Sequence, residues 1–434
     1  MKEELHLFII WENGREKQKE ILDDINKTFK ILRVYEVEWD KELFPSNLSR
    51  FYGTNLPKGS RKEVHVGTGK FILVVLKVAN SVYETRMTSK GEKIVNVNMF
   101  DKKSQYRELT GGGDKVHGTN NEVETNHDLT LLLDKNIEDF LKENDTDWDG
   151  NIQEIKKDLF GCYKWNSVSD MFYALNNCIN YAILRNYESL PEEIYQNDHN
   201  DIDIICESLE DAAYVLNANP VFEEEYRVHY QTKVENRIAY FDLRHLGDNY
   251  YYENMEKNLL NNRIFNEKGF YTLNNYNYFY SLLYHALIHK EIFKDDYKKK
   301  LAEMNIEDIS LNTSIEEYAS ILKKWMISNE YIIVEPIDKT VMLNPINVQF
   351  FKPLVYREKV IEEDLTRVNE YKKENDFLKE QNGKLTDDIN TLKAEIEGIK
   401  DSRTWKIMNP IRKIKKIIKK WGKNGANRYI NGNI

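Results

Sequence analysis

Residues 199–205 read His-Asn-Asp-Ile-Asp-Ile-Ile, a short apolar run that opens with two acids, Asp201 and Asp203. Side chains alternate between the two faces of a β-strand, so these carboxylates point the same way. Carboxylates held close together on an apolar strand repel each other, and a hard divalent cation such as Mg²⁺, which prefers oxygen ligands, relieves that repulsion. The stretch therefore predicts a strand that carries a metal site.

The segments on either side of this strand extend the pattern. A helix is predicted over 167–180 and a short strand over 181–186, and downstream the apolar run 237–244 contains a third acid, Asp242. The order is helix, strand, Asp-x-Asp strand, acidic strand. This order predicts a mixed α/β (α+β) fold for a middle domain over 159–356, with a helical extension after the acids.

The arrangement resembles the nucleotidyltransferase superfamily over residues 165–290. In that superfamily an Asp-x-Asp pair and a third acid on a later strand hold Mg²⁺ against phosphates. The resemblance implies that Asp201, Asp203 and Asp242 are the catalytic and metal-binding residues. It also implies a mixed-sheet domain that binds a nucleotide.

The strand before the acidic pair departs from the superfamily pattern. In the superfamily this strand normally ends in Gly-Ser or Gly-Gly, whereas this chain has Arg185 and Asn186 at the equivalent place. We expect the guanidinium group of Arg185 to bind donor phosphate in place of the glycine backbone. The departure fits better the branch that is similar to fukutin and the bacterial choline-phosphate transferases, which carry a phospho-group from a CDP-activated donor to a glycan.

Each of these residues also has an ordinary structural interpretation. Asp-x-Asp pairs occur by chance in the loops of acidic proteins. For Asp242 the alternative is a surface acid at a strand end, and for Arg185 it is a salt bridge to Glu188 or Glu192.

Length, charge and cysteine content limit the class of protein. The 434 residues predict two or three domains. The net charge of -10 argues against a nucleic-acid-binding function, because phosphate contacts require a basic face. Three cysteines without Cys-x-x-Cys spacing indicate free thiols in a reducing compartment. The charged N-terminus and the shortness of the longest apolar run, 71–76, predict a cytoplasmic protein without a signal peptide or membrane span.

Residues 1–145 are predicted to form an N-terminal α/β domain, with strands at 5–11, 31–39 and 71–78 and a helix at 15–28. A glycine-rich loop in this domain precedes a predicted helix and carries two basic side chains. Backbone amides of such a loop bind anions, so we expect it to bind phosphate. It has a faint likeness to the phosphate-binding loop of the ParB and sulfiredoxin group, and the alternative is a flexible turn. The residues concerned are Gly111, Gly112, Gly113, Lys115 and His117.

Residues 361–400 have apolar or amide side chains at alternating spacings of three and four, separated by Lys, Glu and Asp. This pattern predicts a coiled coil, and Asn375 and Asn382 at a positions favour a parallel two-stranded form. We therefore expect a homodimer. The alternative is a single long helix packed on its own domain.

Residues 401–423 form a basic amphipathic segment, with four isoleucines and Trp421 on one helical face and lysines around the remainder. Such a helix lies in an anionic membrane interface without spanning the bilayer. Its beginning, Ser-Arg-Thr-Trp at 402–405, is similar to the tail that follows coiled coils in many bacterial surface-polysaccharide glycosyltransferases. A nucleic-acid-binding or solvated tail is the alternative.

Together these features predict a Mg²⁺-dependent transferase, peripheral at the inner face of the cell membrane. It would move a phospho-substituent or nucleotidyl group from a nucleotide-activated donor to a lipid-linked or surface glycan acceptor during assembly of a bacterial surface polysaccharide. One alternative places the activity in the N-terminal domain, as a small-molecule kinase or glycosyltransferase that uses the glycine-rich loop. The other is a non-enzymatic membrane scaffold.

Overall fold

The structure is a computed structural model that describes residues 3–88, 91–191, 201–352, 354 and 358–401. The chain divides into two units, Met1–Val355 and Tyr356–Ile434. The described residues contain helices and mixed sheets without a barrel, which confirms the predicted mixed α/β class. Among them, no helix is long and apolar enough to cross a bilayer.

The strands of the described residues are β1 (Glu4–Ile10), β2 (Lys30–Glu38), β3 (Phe71–Val78), β4 (Tyr83–Thr88), β5 (Gly91–Asn96), β6 (Val116–Gly118), β7 (Ile152–Lys156), β8 (Tyr181–Ile183), β9 (Asp201–Cys206), β10 (Asn219–Pro220), β11 (His229–Val234), β12 (Arg237–His245), β13 (Arg263–Phe265) and β14 (Tyr271–Leu273).

The α-helices are α1 (Gln18–Thr28), α2 (Phe44–Tyr52), α3 (Arg61–Val66), α4 (Val97–Leu109), α5 (Glu122–Leu133), α6 (Ile137–Asn144), α7 (Val168–Cys178), α8 (Leu209–Leu216), α9 (Glu253–Asn261), α10 (Asn275–Tyr284), α11 (Asp295–Glu303), α12 (Ile315–Ser328) and α13 (Glu358–Asp401). Short 3₁₀ turns occupy Glu12–Lys17 and Asn347–Phe351, and a π-helical turn at His285–His289 continues α10.

The first sheet has the strand order β6-β1-β3-β2-β7 and is covered on both faces. Helices α1 and α4 contribute Ile21 and Tyr106 to the core on one face, while α2 and α5 contribute Phe44 and Leu131 to the core on the other. The central strand β3 is apolar almost throughout, as a strand buried on both faces requires. Strand β7 pairs in parallel with β2, so this sheet continues past residue 145, where the N-terminal domain was predicted to end.

The second sheet has the order β10-β11-β12-β9-β8-β14-β13. Strand β9 is parallel to β12 and antiparallel to β8. Helix α7, whose N-terminus is capped by Ser167, packs with α8 against one face, and Ile202 and Ile204 are buried in that core. The opposite face meets the helical extension, where α9, α10 and α12 form a second core with Ile205. The alternation along β9 therefore turns its two acids toward the side of the helical extension.

The second unit is described as one helix, α13, of 44 residues. Its side chains at the predicted seam positions Leu378, Leu385, Ile389 and Leu392 are between 46% and 56% exposed. The predicted helix is thus confirmed, and dimerisation through it stays a prediction. The predicted membrane-interface segment, 401–423, lies outside the described residues apart from Asp401.

Candidate active site

The three predicted acids lie on adjacent parallel strands of the second sheet. Asp203 on β9 and Asp242 on β12 are register partners, and Asp201 lies two residues before Asp203. Partners in a parallel ladder project from the same face, so strand pairing brings the three carboxylates to one side of the sheet. Asp203 and Asp242 are both buried. Buried carboxylates require partners, because an unpaired charge away from water is costly.

The partner of Asp203 is Arg185, which follows β8. Arg185 Nη2 donates to Asp203 Oδ1 at 2.5 Å and to the hydroxyl of Tyr250 at 3.2 Å. The backbone supports this pair, because the amide of Leu184 donates to the carbonyl of Asp203 at 2.8 Å. Arg185 thus contacts the acidic cluster, and its predicted role as a phosphate ligand stays a prediction.

The neighbouring residues explain why Arg185 does not pair with Glu188. Glu188 forms an ion pair with Lys300, with an N···O distance of 2.7 Å, and Glu192 lies outside the described residues. Asn186 adopts a left-handed conformation with φ 57°, which asparagine tolerates better than most residues. Its side-chain oxygen accepts from Lys300 at 3.4 Å.

A histidine that the sequence analysis missed completes the cluster. His229 on β11 is the register partner of Asp242, and its Nε2 lies 3.0 Å from Asp242 Oδ1. Potential ligand atoms of Asp201, His229 and Asp242 all lie within 4.8 Å of one another. The register of the hairpin between β11 and β12 places residue 229 opposite residue 242, and the segment around His229 carries no signal of its own for this pairing.

Arg244 joins Asp242 to a deeper layer of charged groups. Its guanidinium lies 3.7 Å from Asp242, 3.8 Å from Asp248 and 3.3 Å from Asp338. It also lies 4.4 Å from the ring centroid of Tyr250. One buried cation is therefore shared by three carboxylates.

The π-helical turn contributes two buried histidines to the same region. His285 Nδ1 lies 2.6 Å from the hydroxyl of Tyr250, while the ring of His289 lies 4.3 Å from the Tyr250 ring. Burial and the nearby arginines lower the pKa of both histidines well below the ordinary value. The neutral form of each imidazole is therefore favoured. Short π-helical segments are found frequently at functional sites.

The environment moves the pKa values of two of the acids in opposite directions. Burial raises the pKa of Asp203 to about 6, against the charge of Arg185 and with added repulsion from Asp242 and Asp201. Burial also opposes ionisation of Asp242, but the nearby His229 imidazole and the charge of Arg244 outweigh the effect of burial and hold the pKa of Asp242 below the ordinary value. Paired carboxylates with separated pKa values are typical of active sites.

Buried polar atoms without hydrogen-bond partners concentrate around this cluster. In the described part of the chain, nine of fifteen such side-chain atoms belong to Arg227, Asp248, His289 and residues of β11 and β12. Asp242 Oδ1 is one of them, because its contact with His229 lacks hydrogen-bond geometry. Unsatisfied buried groups are rare in folded proteins, and each one calls for a ligand, an ion or a functional role.

The donor set fits a divalent cation. Asp201 and Asp242 offer the hard carboxylate oxygens that Mg²⁺ prefers, and the unsatisfied Oδ1 of Asp242 is available for coordination. His229 adds an imidazole nitrogen, which also suits transition metals. Asp203, the second acid of the predicted metal set, is instead hydrogen-bonded to Arg185.

The glycine-rich loop lies at the end of a helix rather than at the start of one. The amides of Gly111 and Gly112 donate to carbonyls at the C-terminus of α4, and all three glycines have φ between 79° and 88°. Strand β6 separates the loop from α5. Lys115 Nζ donates to the carbonyl of Thr110 at 2.8 Å, and His117 Nε2 lies 2.8 Å from Asp128 Oδ2.

A cleft of about 1370 Å³ is lined by residues of the first sheet domain together with α7, α8 and neighbouring loops. Its lining includes His117 and Asp128 but none of Asp201, Asp203 or Asp242. The cleft and the acidic cluster are therefore separate features of the unit Met1–Val355.

Comparison of the chain with protein-family models finds no match, and comparison with curated proteins finds none either.

Proposed function

We propose that the acidic cluster is the active site of a divalent-cation-dependent transferase. It moves a phospho-substituent or a nucleotidyl group from a nucleotide-activated donor to an acceptor hydroxyl. The observation that carries the proposal is the meeting of Asp201, Asp203 and Asp242 on one sheet face, with Arg185 directly against Asp203. Phosphoryl and nucleotidyl transfer depend mainly on positioning and charge neutralisation, and this cluster offers both.

Each residue has a role that follows from its contacts. Asp201 and Asp242 would hold the cation, with His229 beside them. The bound cation would neutralise the charge of the donor phosphates. Arg185 positions Asp203 through one nitrogen and has further N–H groups to donate to a phosphate oxygen.

Asp203 would act as the general base that takes the proton of the acceptor hydroxyl. It is not part of the set of ligand atoms formed by Asp201, His229 and Asp242. One of its oxygens accepts from Arg185, which leaves the other to accept the proton of an acceptor hydroxyl. The ion pair between Arg185 and Asp203 holds that oxygen in place during the reaction.

The proposed acceptor and the proposed location are inferred from features of the second unit. The exposed apolar seam of α13 supports a parallel homodimer. The basic amphipathic pattern of 401–423 supports docking on an anionic membrane, at the cytoplasmic inner face, where lipid-linked glycans are acceptors. Surface-polysaccharide assembly is the pathway that unites these features, and no nucleic-acid partner is part of the proposal.

A product assay tests the reaction class, because the released nucleotide reports which bond breaks. Transfer of a phospho-substituent from a nucleoside diphosphate donor releases a nucleoside monophosphate. Transfer of a glycosyl group releases a nucleoside diphosphate, and nucleotidyl transfer from a triphosphate releases pyrophosphate. We expect the monophosphate or pyrophosphate, with Mg²⁺, and its loss in Asp201→Asn.

The matched control is Asp295→Asn, which changes an acid that is 89% exposed and paired with Lys298. It should leave turnover unchanged. Release of a nucleoside diphosphate that persists in Asp201→Asn would contradict the proposal and transfer the activity to another site.

A further inference from the structure

A second cluster of possible metal ligands lies at the edge of the first sheet. His117 belongs to the edge strand β6, where it pairs with Ile9 of β1. Glu124 and Asp128 are four residues apart on α5, so they lie on the same face of that helix. Potential ligand atoms of His117, Glu124 and Asp128 all lie within 4.8 Å of one another.

Asp128 is the centre of this cluster. It is 2% exposed, and its two oxygens are bound by different histidines: His117 Nε2 lies 2.8 Å from Oδ2, and His127 Nδ1 lies 2.9 Å from Oδ1. A metal ion between His117 and Asp128 would replace the first of these hydrogen bonds. The second would remain, with His127 orienting the carboxylate from outside, as hydrogen-bonded neighbours of metal ligands commonly do.

Aromatic side chains pack against one side of the cluster, and the other side is open. Phe51 and Tyr52 pack against the imidazole of His117, with ring centroids at 5.3 Å and 5.8 Å. On the open side, His117, Glu124 and Asp128 all line the cleft of about 1370 Å³. A metal held by these three side chains would therefore have protein ligands behind it and space for a further ligand in front.

We propose that His117, Glu124 and Asp128 form a binding site for a divalent transition-metal ion of the Zn²⁺ class, with an open coordination position toward the cleft. Imidazole nitrogens and carboxylate oxygens are both ligands of such ions, and three protein ligands with one open position are typical of catalytic zinc sites. The site is separate from the acidic cluster of the second sheet. His127 is a positioning residue for Asp128.

The experiment measures metal binding on the full chain after the first cluster has been disabled. In an Asp201→Asn/Asp242→Asn background, equilibrium dialysis with Zn²⁺ should give one bound ion per chain, and Co²⁺ should give visible absorption bands. Both signals should be lost in Asp128→Asn and in Glu124→Gln. His127→Ala should weaken binding by about 10- to 100-fold without abolishing it.

Glu124→Gln is the variant that disturbs the fold less, because the Glu124 side chain is partly exposed whereas Asp128 is buried, and glutamine can still accept the hydrogen bond from the Asn120 amide. Circular dichroism verifies that each variant is folded. No bound Zn²⁺ in the folded background protein would overturn the proposal. An undiminished Co²⁺ spectrum in folded Glu124→Gln would overturn it as well. Neither result depends on transferase activity, so the proposed function is tested separately.

Discussion

Arg185 Nη2 lies 2.5 Å from Asp203 Oδ1, and both residues are buried in the second sheet domain. Despite this contact, the pKa of Asp203 is raised to about 6, because burial and the neighbouring acids Asp242 and Asp201 outweigh the attraction of the guanidinium. The Asp203 carboxyl group is therefore hydrogen-bonded to the Arg185 guanidinium, and its ionisation is still unfavourable. Such a balance is typical of a functional carboxylate rather than of a stabilising ion pair.

Removing one partner of this pair should be much worse than removing both. We expect Arg185→Met to lower the free energy of unfolding by about 3 to 5 kcal/mol, because it leaves the Asp203 carboxylate buried and unpaired. The double variant Arg185→Met/Asp203→Leu should recover most of that loss. Urea denaturation of the four proteins in the cycle measures the coupling. Additive losses would show that the two side chains do not interact.

The raised pKa of Asp203 predicts a specific pH dependence of stability. The folded chain binds this proton more tightly than the unfolded chain, so ionisation destabilises the fold as pH rises from about 4 to about 6. A shift of about two pKa units corresponds to roughly 3 kcal/mol. The test compares the free energy of unfolding of the wild type with that of Asp203→Asn. The difference, wild type minus variant, should fall by roughly 3 kcal/mol between about pH 4 and about pH 6 and stay constant at higher pH. A difference that rises with pH would contradict the assignment.

Tyr250 connects Arg185 to His285, and its hydroxyl is the shared atom. Tyr250→Phe removes both hydrogen bonds and leaves a buried imidazole nitrogen unpaired, so we expect a loss of about 1 to 3 kcal/mol in the free energy of unfolding. Tyr252→Phe, two residues further along the chain and partly exposed, is the control and should change stability by less than about 0.5 kcal/mol. Equal effects in the two variants would show that the Tyr250 hydroxyl has no special role.

His229 should influence which cation the cluster prefers. Its imidazole suits transition metals better than Mg²⁺, whereas Asp201 and Asp242 bind both. We expect His229→Gln to weaken Co²⁺ binding by about tenfold and Mg²⁺ binding by less. Isothermal titration with each ion, in an Asp128→Asn background that removes the second cluster, makes the comparison. Equal losses for both ions would place His229 outside the coordination sphere.

The exposed seam of α13 predicts a concentration-dependent dimer. Leu385 occupies a d position and is 56% exposed in the single chain, so Leu385→Asp should convert dimer to monomer in sedimentation equilibrium. Asp387→Lys, two residues away at an outward f position, is the matched control and should stay dimeric. A monomeric wild type would show that the helix does not pair.

The strand that carries the acids could be predicted because its signal is local. Alternation along Asp201 to Cys206 identifies β9, and the apolar run around Asp242 identifies β12, without knowledge of their pairing. His229 could not be found in the same way. Its role depends on the register between β11 and β12, which is a pairing across the hairpin and not a property of the residue's own segment.

The glycine-rich loop shows a different limit. Three glycines before a helical pattern predict an anion-binding turn, but the tertiary fold uses two of their amides to end α4 and inserts the three-residue strand β6 before α5. A strand of three residues has no periodicity to detect. Strand β7, mostly exposed at the sheet edge, is missed for the related reason that edge strands need few apolar residues.

The most direct test of the proposed active site is a thermal-shift measurement on the full chain with CTP, CDP-alditols, CDP-choline, UDP-sugars and ATP, each with and without Mg²⁺. A donor that binds the folded chain, present at a free concentration of one hundred times its Kd, should raise the free energy of unfolding by about 2.7 kcal/mol. We predict a Mg²⁺-dependent rise in Tm with a cytidine nucleotide that disappears in Asp201→Asn/Asp203→Asn. A rise that persists in that variant, or no rise with any donor, would contradict a nucleotide site at Asp201, Asp203 and Asp242.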